Sequence, residues 1–101
     1  MDSVKIGGRK TVNACHVVLL ESDINYSFVH LIDGKRLHVA TTLKELEQRF
    51  LPFDFFVRTS KSHVINALYV INYSENSVLL QNKLNAVVSR RRKHRMERFN
   101  F

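Results

Sequence analysis

The feature that most constrains the fold is the Asp33-Gly34 pair, which stands between two runs of strand-forming residues, 26–32 and 35–40. Asp-Gly between such runs is the strongest short-range hairpin signal, because the tight turn needs left-handed backbone conformations that these two residues tolerate. We therefore predict a β-hairpin at this position. A hairpin of this kind commits the chain to antiparallel sheet.

Further short runs of branched and apolar residues continue this pattern along the chain. Polar turn residues at 74–76 and 82–83 separate the runs in the second half. We predict additional strands at 16–20, 63–65, 68–73, 77–81 and 84–88. The last three should form a meander, because only short turns join them.

The hydrophobic period changes once, at residues 42–50. Leu43, Leu46 and Phe50 follow one another at helical spacing, and Glu45 stands three residues after Thr42, as in a capping box. The spacing predicts a short internal helix over 42–50. The helix should end before Pro52, because the residue that precedes a proline disfavours helical geometry.

A second helix is predicted at about residues 90–99, with Ser89 as its N-cap and with Met96 and Phe99 on one face. The predicted fold class is therefore mostly β: elongated antiparallel sheets made of hairpins and a meander, with the helices 42–50 and 90–99. A chain of 101 residues supplies one modest core. We predict a single domain over residues 1–101.

Positive charge is concentrated near the C-terminus. The chain carries a net charge of +7, and six of the ten residues 89–98 are Lys or Arg, against one Glu. Arg90 to Lys93 would occupy the first helical turn, where the helix dipole disfavours each cation by about 0.3–1 kcal/mol. Phosphate groups would offset both the dipole and the mutual repulsion. We interpret the segment as a nucleic-acid contact rather than a solvated helix face.

Catalytic and metal-binding patterns are missing from the sequence. There is no Gly-rich phosphate loop, H-E-x-x-H or G-x-S-x-G motif, and the five histidines lack the spacing of metal ligands. We predict no enzymatic activity, no metal and no cofactor. Neither a signal peptide nor an apolar stretch of about 20 residues is visible, so we expect no membrane insertion and a cytoplasmic location. Cys15, the single cysteine, is expected to be a small buried hydrophobe.

Four segments occur in an order that resembles the LytTR family of bacterial DNA-binding domains. They are L-L-E-S-D-I-N-Y-S-F-V-H-L-I-D-G-K (19–35), T-L-K-E-L-E-Q-R-F (42–50), F-F-V-R-T-S-K-S-H-V-I-N (55–66) and S-V-L-L-Q-N-K-L-N-A-V-V-S-R-R (77–91). The family pattern is an F-x-R-x-H-R-S-x-x-V-N block, a hairpin and a closing S-R. This chain has Ser60 and Lys61 at the His-Arg positions. The resemblance covers roughly residues 15–98.

The resemblance implies sequence-specific binding of double-stranded DNA in bacterial transcription regulation. Loops and the start of the last helix would enter successive major grooves, with no inserted recognition helix. The implied base contacts are Asn25 or Tyr26, Lys61 and Arg91. The implied backbone contacts are Ser62, Lys83, Ser89, Arg90 and Arg92, with Arg58 and Lys93 as further candidates. His63 takes a position that is usually aromatic or apolar in the family, so we expect it to be buried and neutral.

The resemblance also implies partners. These are duplex DNA with direct-repeat half-sites about one helical turn apart, a second copy of the domain on the same site, and a regulatory partner protein, as some stand-alone relatives have. Most family members follow a receiver domain, so the chain is either a stand-alone, response-regulator-like protein or a fragment. Because the sequence starts at Met1 without an expression scar, we expect the stand-alone form.

Two alternatives share the basic charge: a small RNA-binding protein and a protein-interaction module. An RNA-binding β protein of this kind should expose an aromatic platform on a sheet. Only Tyr26, Tyr69 and Tyr73 could supply it, and we expect the last two to pack within the meander. A protein-interaction module would bind its partner without marked dependence on salt.

Overall fold

A computed structural model describes residues 2–99 and 101 and contains three antiparallel sheets. The first sheet is a hairpin of β1 (Ser3–Gly7) and β2 (Lys10–Asn13). The second sheet has the order β5-β4-β3-β7-β6 and is built from β3 (Val17–Asp23), β4 (Tyr26–Leu31), β5 (Arg36–Val39), β6 (Phe56–Ser60) and β7 (His63–Asn66). The third is the meander of β8 (Val70–Ser74), β9 (Ser77–Leu80) and β10 (Asn85–Val87).

Helical structure is limited to short segments. The α-helix α1 spans Leu43–Phe50, and 3₁₀ turns occur at Ala14–His16, Ala67–Tyr69, Gln81–Lys83 and Arg90–Met96. Strands account for 47% of residues and helical turns for 24%, so the predicted mostly β class is confirmed. The molecule measures 37 × 25 × 24 Å and is therefore elongated.

The two strongest local predictions are confirmed in detail. The Thr42 side chain accepts a hydrogen bond from the Glu45 backbone N–H at 3.2 Å, as the capping box requires. Strands β4 and β5 pair around Asp33-Gly34, where the Leu31 N–H donates to the Lys35 carbonyl at 2.9 Å. Gly34 has φ +94°. The connection has three residues rather than two, and Gly34 occupies the left-handed position of that longer turn.

Two elements were missed by the sequence-based prediction. The β1–β2 hairpin turns at Gly8-Arg9, directly after Gly7, and Val4 and Ile6 point inward at strand spacing. A Gly-Gly pair beside alternating apolar residues was the available signal. Strand β6 includes the polar residues Arg58, Thr59 and Ser60, where no strand was predicted. Thr59 is fully buried although it is polar, and a prediction based on the polarity of these residues therefore missed the strand.

The five-stranded sheet is covered on both faces. One core lies between the sheet, α1 and the β1–β2 hairpin, and the other lies between the sheet, the meander and Met96. Strand β3 serves both, because the side chains of a strand point to opposite faces of its sheet. An irregularity between Val17 and Leu19 changes which residues face which core. Val17 and Leu20 face the first core, whereas Leu19 faces the second. An uninterrupted apolar run therefore fits this central strand.

The C-terminal segment differs in type and length from the predicted helix of residues 90–99. It is a 3₁₀ helix over Arg90–Met96, with the Arg92 N–H donating to the Ser89 carbonyl at 3.1 Å. Phe99 lies beyond the helix, in a turn where its N–H donates to the Met96 carbonyl at 3.1 Å, and both residues pack against the second core. Ser89 takes the N-cap position, but within the described residues its buried hydroxyl has no hydrogen-bond partner.

Cys15 is exposed, so the prediction of a buried cysteine is wrong; it lies in the short 3₁₀ turn after β2, where only Ala14 is buried. Within residues 2–99 and 101, no helix is long and apolar enough to cross a bilayer.

Candidate nucleic-acid interface

Three loops meet at one end of the five-stranded sheet, which we call the loop end: the β3–β4 turn (24–25), the β6–β7 turn (61–62) and residues 89–91. Strand register brings the first two together, because Glu21 pairs with His63 across β3 and β7. The Ser22 N–H donates to the Ser62 carbonyl at 2.9 Å, and the Ser89 N–H donates to the Thr59 carbonyl at 2.7 Å. Segments far apart in sequence thus form one surface.

The β3–β4 turn presents two residues at its tip. Asp23 and Tyr26 are the last paired residues of the two strands, so Ile24 and Asn25 form the turn, and both are exposed. The Tyr26 ring stacks on His38 of β5 at 4.9 Å between centroids, and the His38 Nε2 lies 2.9 Å from the Asp23 carboxylate. Tyr26 is therefore held against the sheet, whereas Asn25 projects from it.

Arg58 holds the β6–β7 turn. Its Nε donates to the Ser60 carbonyl and its Nη2 to the Lys61 carbonyl, each at 2.7 Å. Its Nη1 donates to the Glu47 carboxylate of α1, also at 2.7 Å. The Arg58 side chain is only 13% exposed. This geometry favours a positioning role over the direct phosphate contact predicted for it, and it leaves the Lys61 side chain free to project.

A serine hydroxyl makes the next contact in the same turn. The Ser60 Oγ accepts from the Ser62 N–H at 3.1 Å and lies 3.1 Å from the His63 Nδ1. Ser62 itself is half-buried behind the exposed Lys61. Hydrogen bonds to main-chain atoms thus hold the turn in place, and the exposed Lys61 side chain remains available to bind a partner.

Residues 90–92 place arginines beside this turn. Arg90 and Arg91 are exposed, and Arg92 is half-buried. Burial lowers the pKa of Arg92 below its ordinary value, and the neighbouring charges of Arg91, Arg58 and Arg95 act in the same direction. Such a group remains charged. An anion bound here would relieve this repulsion.

The later cations of the same segment lie along strand β6. The Arg95 Nη1 donates to the Arg58 carbonyl at 3.4 Å, and the Arg98 Nη2 donates to the Phe56 carbonyl at 3.2 Å. Strand β6 is an edge of its sheet, and charged side chains on an edge block pairing with other chains. The cationic cluster seen in sequence therefore divides into a part at the loop end and a part that covers an edge strand.

Lys83 and Lys93 lie apart from the other predicted contacts. Lys83 follows Asn82, whose amide donates to the Leu31 and Ile32 carbonyls at 3.3 and 3.1 Å. Strand β10 separates Lys83 from Ser89, a span of about 20 Å at strand rise. Lys83 is exposed, whereas Lys93 is half-buried beside the C-terminal aromatic residues.

His63 connects the β6–β7 turn to β10. The Val87 N–H donates to its Nδ1 at 3.2 Å, and its Nε2 lies 3.7 Å from the Glu21 carboxylate, which also contacts the His30 Nε2 at 3.0 Å. Burial lowers the pKa of His63, against the opposing effect of Glu21. The expected buried, neutral His63 fits this arrangement, because an acceptor nitrogen must be unprotonated. No group of three His, Cys, Asp or Glu side chains suited to a metal ion occurs among the described residues.

This lowered pKa predicts that acid weakens the fold. Between about pH 7.5 and pH 5 the unfolded chain takes up a proton at its ordinary pKa of 6.5 before the folded chain does. The free energy of unfolding should therefore fall as pH falls through 6.5 and level off below the folded pKa of His63. Urea unfolding at several pH values measures this. His63→Asn, whose Oδ1 can replace Nδ1 as acceptor, should flatten the dependence. Stability that rises in acid would mean that Glu21, not burial, controls His63.

Comparison with known proteins identifies the family and the fold of the chain. The family model described as "LytTr DNA-binding domain" matches residues 8–99. A solved structure of the LytTr DNA-binding domain of a protein described as a methyl-accepting/DNA response regulator from Bacillus cereus superimposes with a TM-score of 0.73 at 19% identity, covering 95% of this chain and 92% of that one. A search of curated proteins found no match.

The fold and its basic loop end define a β-rich DNA-binding domain of the bacterial transcription-regulation type. The chain belongs to the LytTR family. At 19% identity the solved relative shows the shared fold alone, and the roles of individual residues rest on the geometry described above.

Proposed function

We propose that the protein recognises specific duplex DNA sequences in bacterial transcription regulation, with the turns 24–25 and 61–62 and the start of the 3₁₀ segment in successive major grooves. The observation that carries the proposal is the loop end, where the exposed polar and cationic side chains of Asn25, Lys61, Arg90 and Arg91 come together. A major groove has room for such protruding elements, and its base edges distinguish all four base pairs.

Three side chains are suited to contact bases. Arg91 can donate two hydrogen bonds to the O6 and N7 of guanine, which discriminates by about 1–3 kcal/mol. Lys61 offers a point charge with less directional control. Between the alternatives Asn25 and Tyr26, the structure favours Asn25, because the Tyr26 ring is stacked against His38. The Asn25 amide can pair with the N6 and N7 of adenine.

Phosphate contacts would fix the register of the protein on the duplex. Ser62 and Arg90 at the loop end, and Arg92 next to it, are proposed for this role. Ser89 is proposed as well, but its hydroxyl is buried, so its contact requires a rotation of the side chain. Arg58 instead supports the turn that carries Lys61. Lys83 would contact a phosphate only if the duplex extends along β10, and Lys93 only if it extends along the C-terminal segment.

Two copies of the domain would bind two direct-repeat half-sites about one helical turn apart. The basic loop end supports DNA affinity that depends strongly on salt. A partner protein that controls access to the loop end is a further part of this proposal, taken from the family. No cofactor is required, because recognition uses only side-chain and backbone donors.

Selection of bound duplexes from a random DNA pool at physiological salt tests the proposal directly. We expect enrichment of a short motif repeated at about one helical turn. Salt-sensitive binding without an enriched motif would mean that the loop end is a general phosphate-binding surface.

Single-stranded RNA should compete poorly with duplex DNA, because Tyr69 and Tyr73 pack against the second core and leave Tyr26 as the exposed tyrosine. Effective competition would favour the RNA-binding alternative.

The extent of the duplex contact can be measured with Lys83→Ala. If Lys83 binds a phosphate, the variant should weaken binding to all duplexes equally. The slope of log affinity against log salt should fall by about 0.9, which corresponds to one phosphate. Titrations at several salt concentrations measure this slope. Lys35→Ala is a suitable control, because Lys35 is an exposed lysine in the nearby β4–β5 turn. An unchanged slope would confine the interface to the loop end.

A further inference from the structure

The tip of the β3–β4 turn carries an unusual residue. Ile24 is 89% exposed and has φ +57°. A β-branched side chain at positive φ is a genuine backbone outlier, and such strain concentrates at functional sites. Glycine, asparagine and aspartate fit this position without the same strain. The chain therefore keeps a strained, exposed apolar side chain where a polar or minimal one would be more stable.

The surroundings of Ile24 are polar and cationic. The Ser22 N–H bonds to the Ser62 carbonyl, which places the β3–β4 turn beside the turn that carries Lys61. Asn25, the other tip residue, is a proposed base contact. Because no other residue lies between the paired Asp23 and Tyr26, any duplex that Asn25 reaches also meets Ile24.

Tyr26 is the alternative apolar surface at this turn, but its geometry differs. It is 46% exposed, and its ring lies flat against His38. Ile24 is free of such stacking and is nearly twice as exposed. The most protruding apolar atoms of the loop end therefore belong to Ile24.

We infer that Ile24 is a specificity-determining residue, which contacts the 5-methyl group of a thymine in the major groove. This inference rests on the proposed DNA-binding function. The thymine methyl is the apolar feature that the major groove presents, and apolar side chains recognise it by direct contact. A rigid turn suits this contact, because methyl recognition depends on close approach rather than on hydrogen bonding.

The test uses the DNA duplex selected by the protein, with each thymine replaced singly by deoxyuridine, which lacks only the methyl group. For the parent protein we expect one position of the half-site to lose affinity about fourfold, the value for one buried methyl group. Ile24→Gly should bind the thymine and uracil duplexes equally. It should unfold at no lower a temperature than the parent, because it relieves the positive φ and uncovers no buried surface.

Ile24→Val is the matched control, because it keeps a branched apolar side chain at the same backbone position. It should retain most of the preference for thymine over uracil. Two results would overturn the inference: a parent protein indifferent to every uracil replacement, or an Ile24→Gly variant with the parent's thymine preference. Failure of the random-pool selection to yield any motif would instead remove the proposed function, and the inference with it.

Discussion

Replacing Arg91 with alanine is expected to reduce strongly the preference for the selected DNA site while leaving the fold intact. Arg91 is exposed, so its truncation removes no buried contact. The loss of a bidentate guanine contact should reduce discrimination by about 1–3 kcal/mol, or roughly 5- to 150-fold. Competition between the selected duplex and a scrambled duplex measures this ratio.

Two variants separate the charge of Arg91 from its hydrogen-bonding geometry. Arg91→Lys keeps the charge but loses the planar pair of donors, so it should retain general affinity and lose most discrimination. Arg90→Ala, at the exposed neighbouring position, should weaken binding to both duplexes equally. Full site preference in Arg91→Ala would show that another residue contacts the base.

Replacing Arg58 with methionine is expected to have the largest effect on stability. Methionine keeps much of the aliphatic volume but leaves the Ser60 and Lys61 carbonyls and the Glu47 carboxylate without their donors. Breaking a largely buried, hydrogen-bonded ion pair of this kind destabilises by about 3 kcal/mol. Urea unfolding measures the loss. Hydrogen exchange at residues 60–62 should show faster opening of the turn.

The same variant decides between two roles for Arg58. If Arg58 is a positioning residue, Arg58→Met should lower the free energy of unfolding and should lose as much DNA affinity as Lys61→Ala does. The double variant should then lose no more affinity than either single variant. A phosphate contact would instead lower the salt slope by about 0.9 and leave stability unchanged. Arg49→Met is the control, because Arg49 of α1 likewise pairs with a glutamate and donates to a main-chain carbonyl, but it is more exposed. It should cost no more than about 1 kcal/mol.

Local signals in the sequence were sufficient for several elements. Thr42 and Glu45 fix the start of α1, and Gly34 fixes a turn, because each acts through atoms only a few residues away. The meander followed from its polar turns. The β1–β2 hairpin was missed although Gly8 opens its turn, and β6 was missed because its inward-facing Thr59 is polar.

The candidate site shows the same division. The cationic residues 89–98 were visible in sequence, but their separation into Arg90 and Arg91 at the loop end and Arg95 and Arg98 on β6 was not. The sequence-based assignment of Arg58 as a DNA contact was reasonable from charge alone. The three hydrogen bonds of Arg58 join α1 to the β6–β7 turn. Residue spacing in the sequence does not predict a contact of this kind.

The sequence by itself determined the antiparallel β class, the internal helix, the basic C-terminal segment and the family resemblance, because these depend on residue type and short-range spacing. Only the tertiary structure decided that the turns 24–25 and 61–62 and residues 89–91 share one end of the sheet, and that Ile24 and Asn25, rather than Tyr26, form the tip. The first fact depends on the pairing of β3 with β7, about 40 residues away in the chain, and on the contact of Ser89 with β6. The second depends on the register of the β3–β4 hairpin, and register is set by which face of each strand is buried.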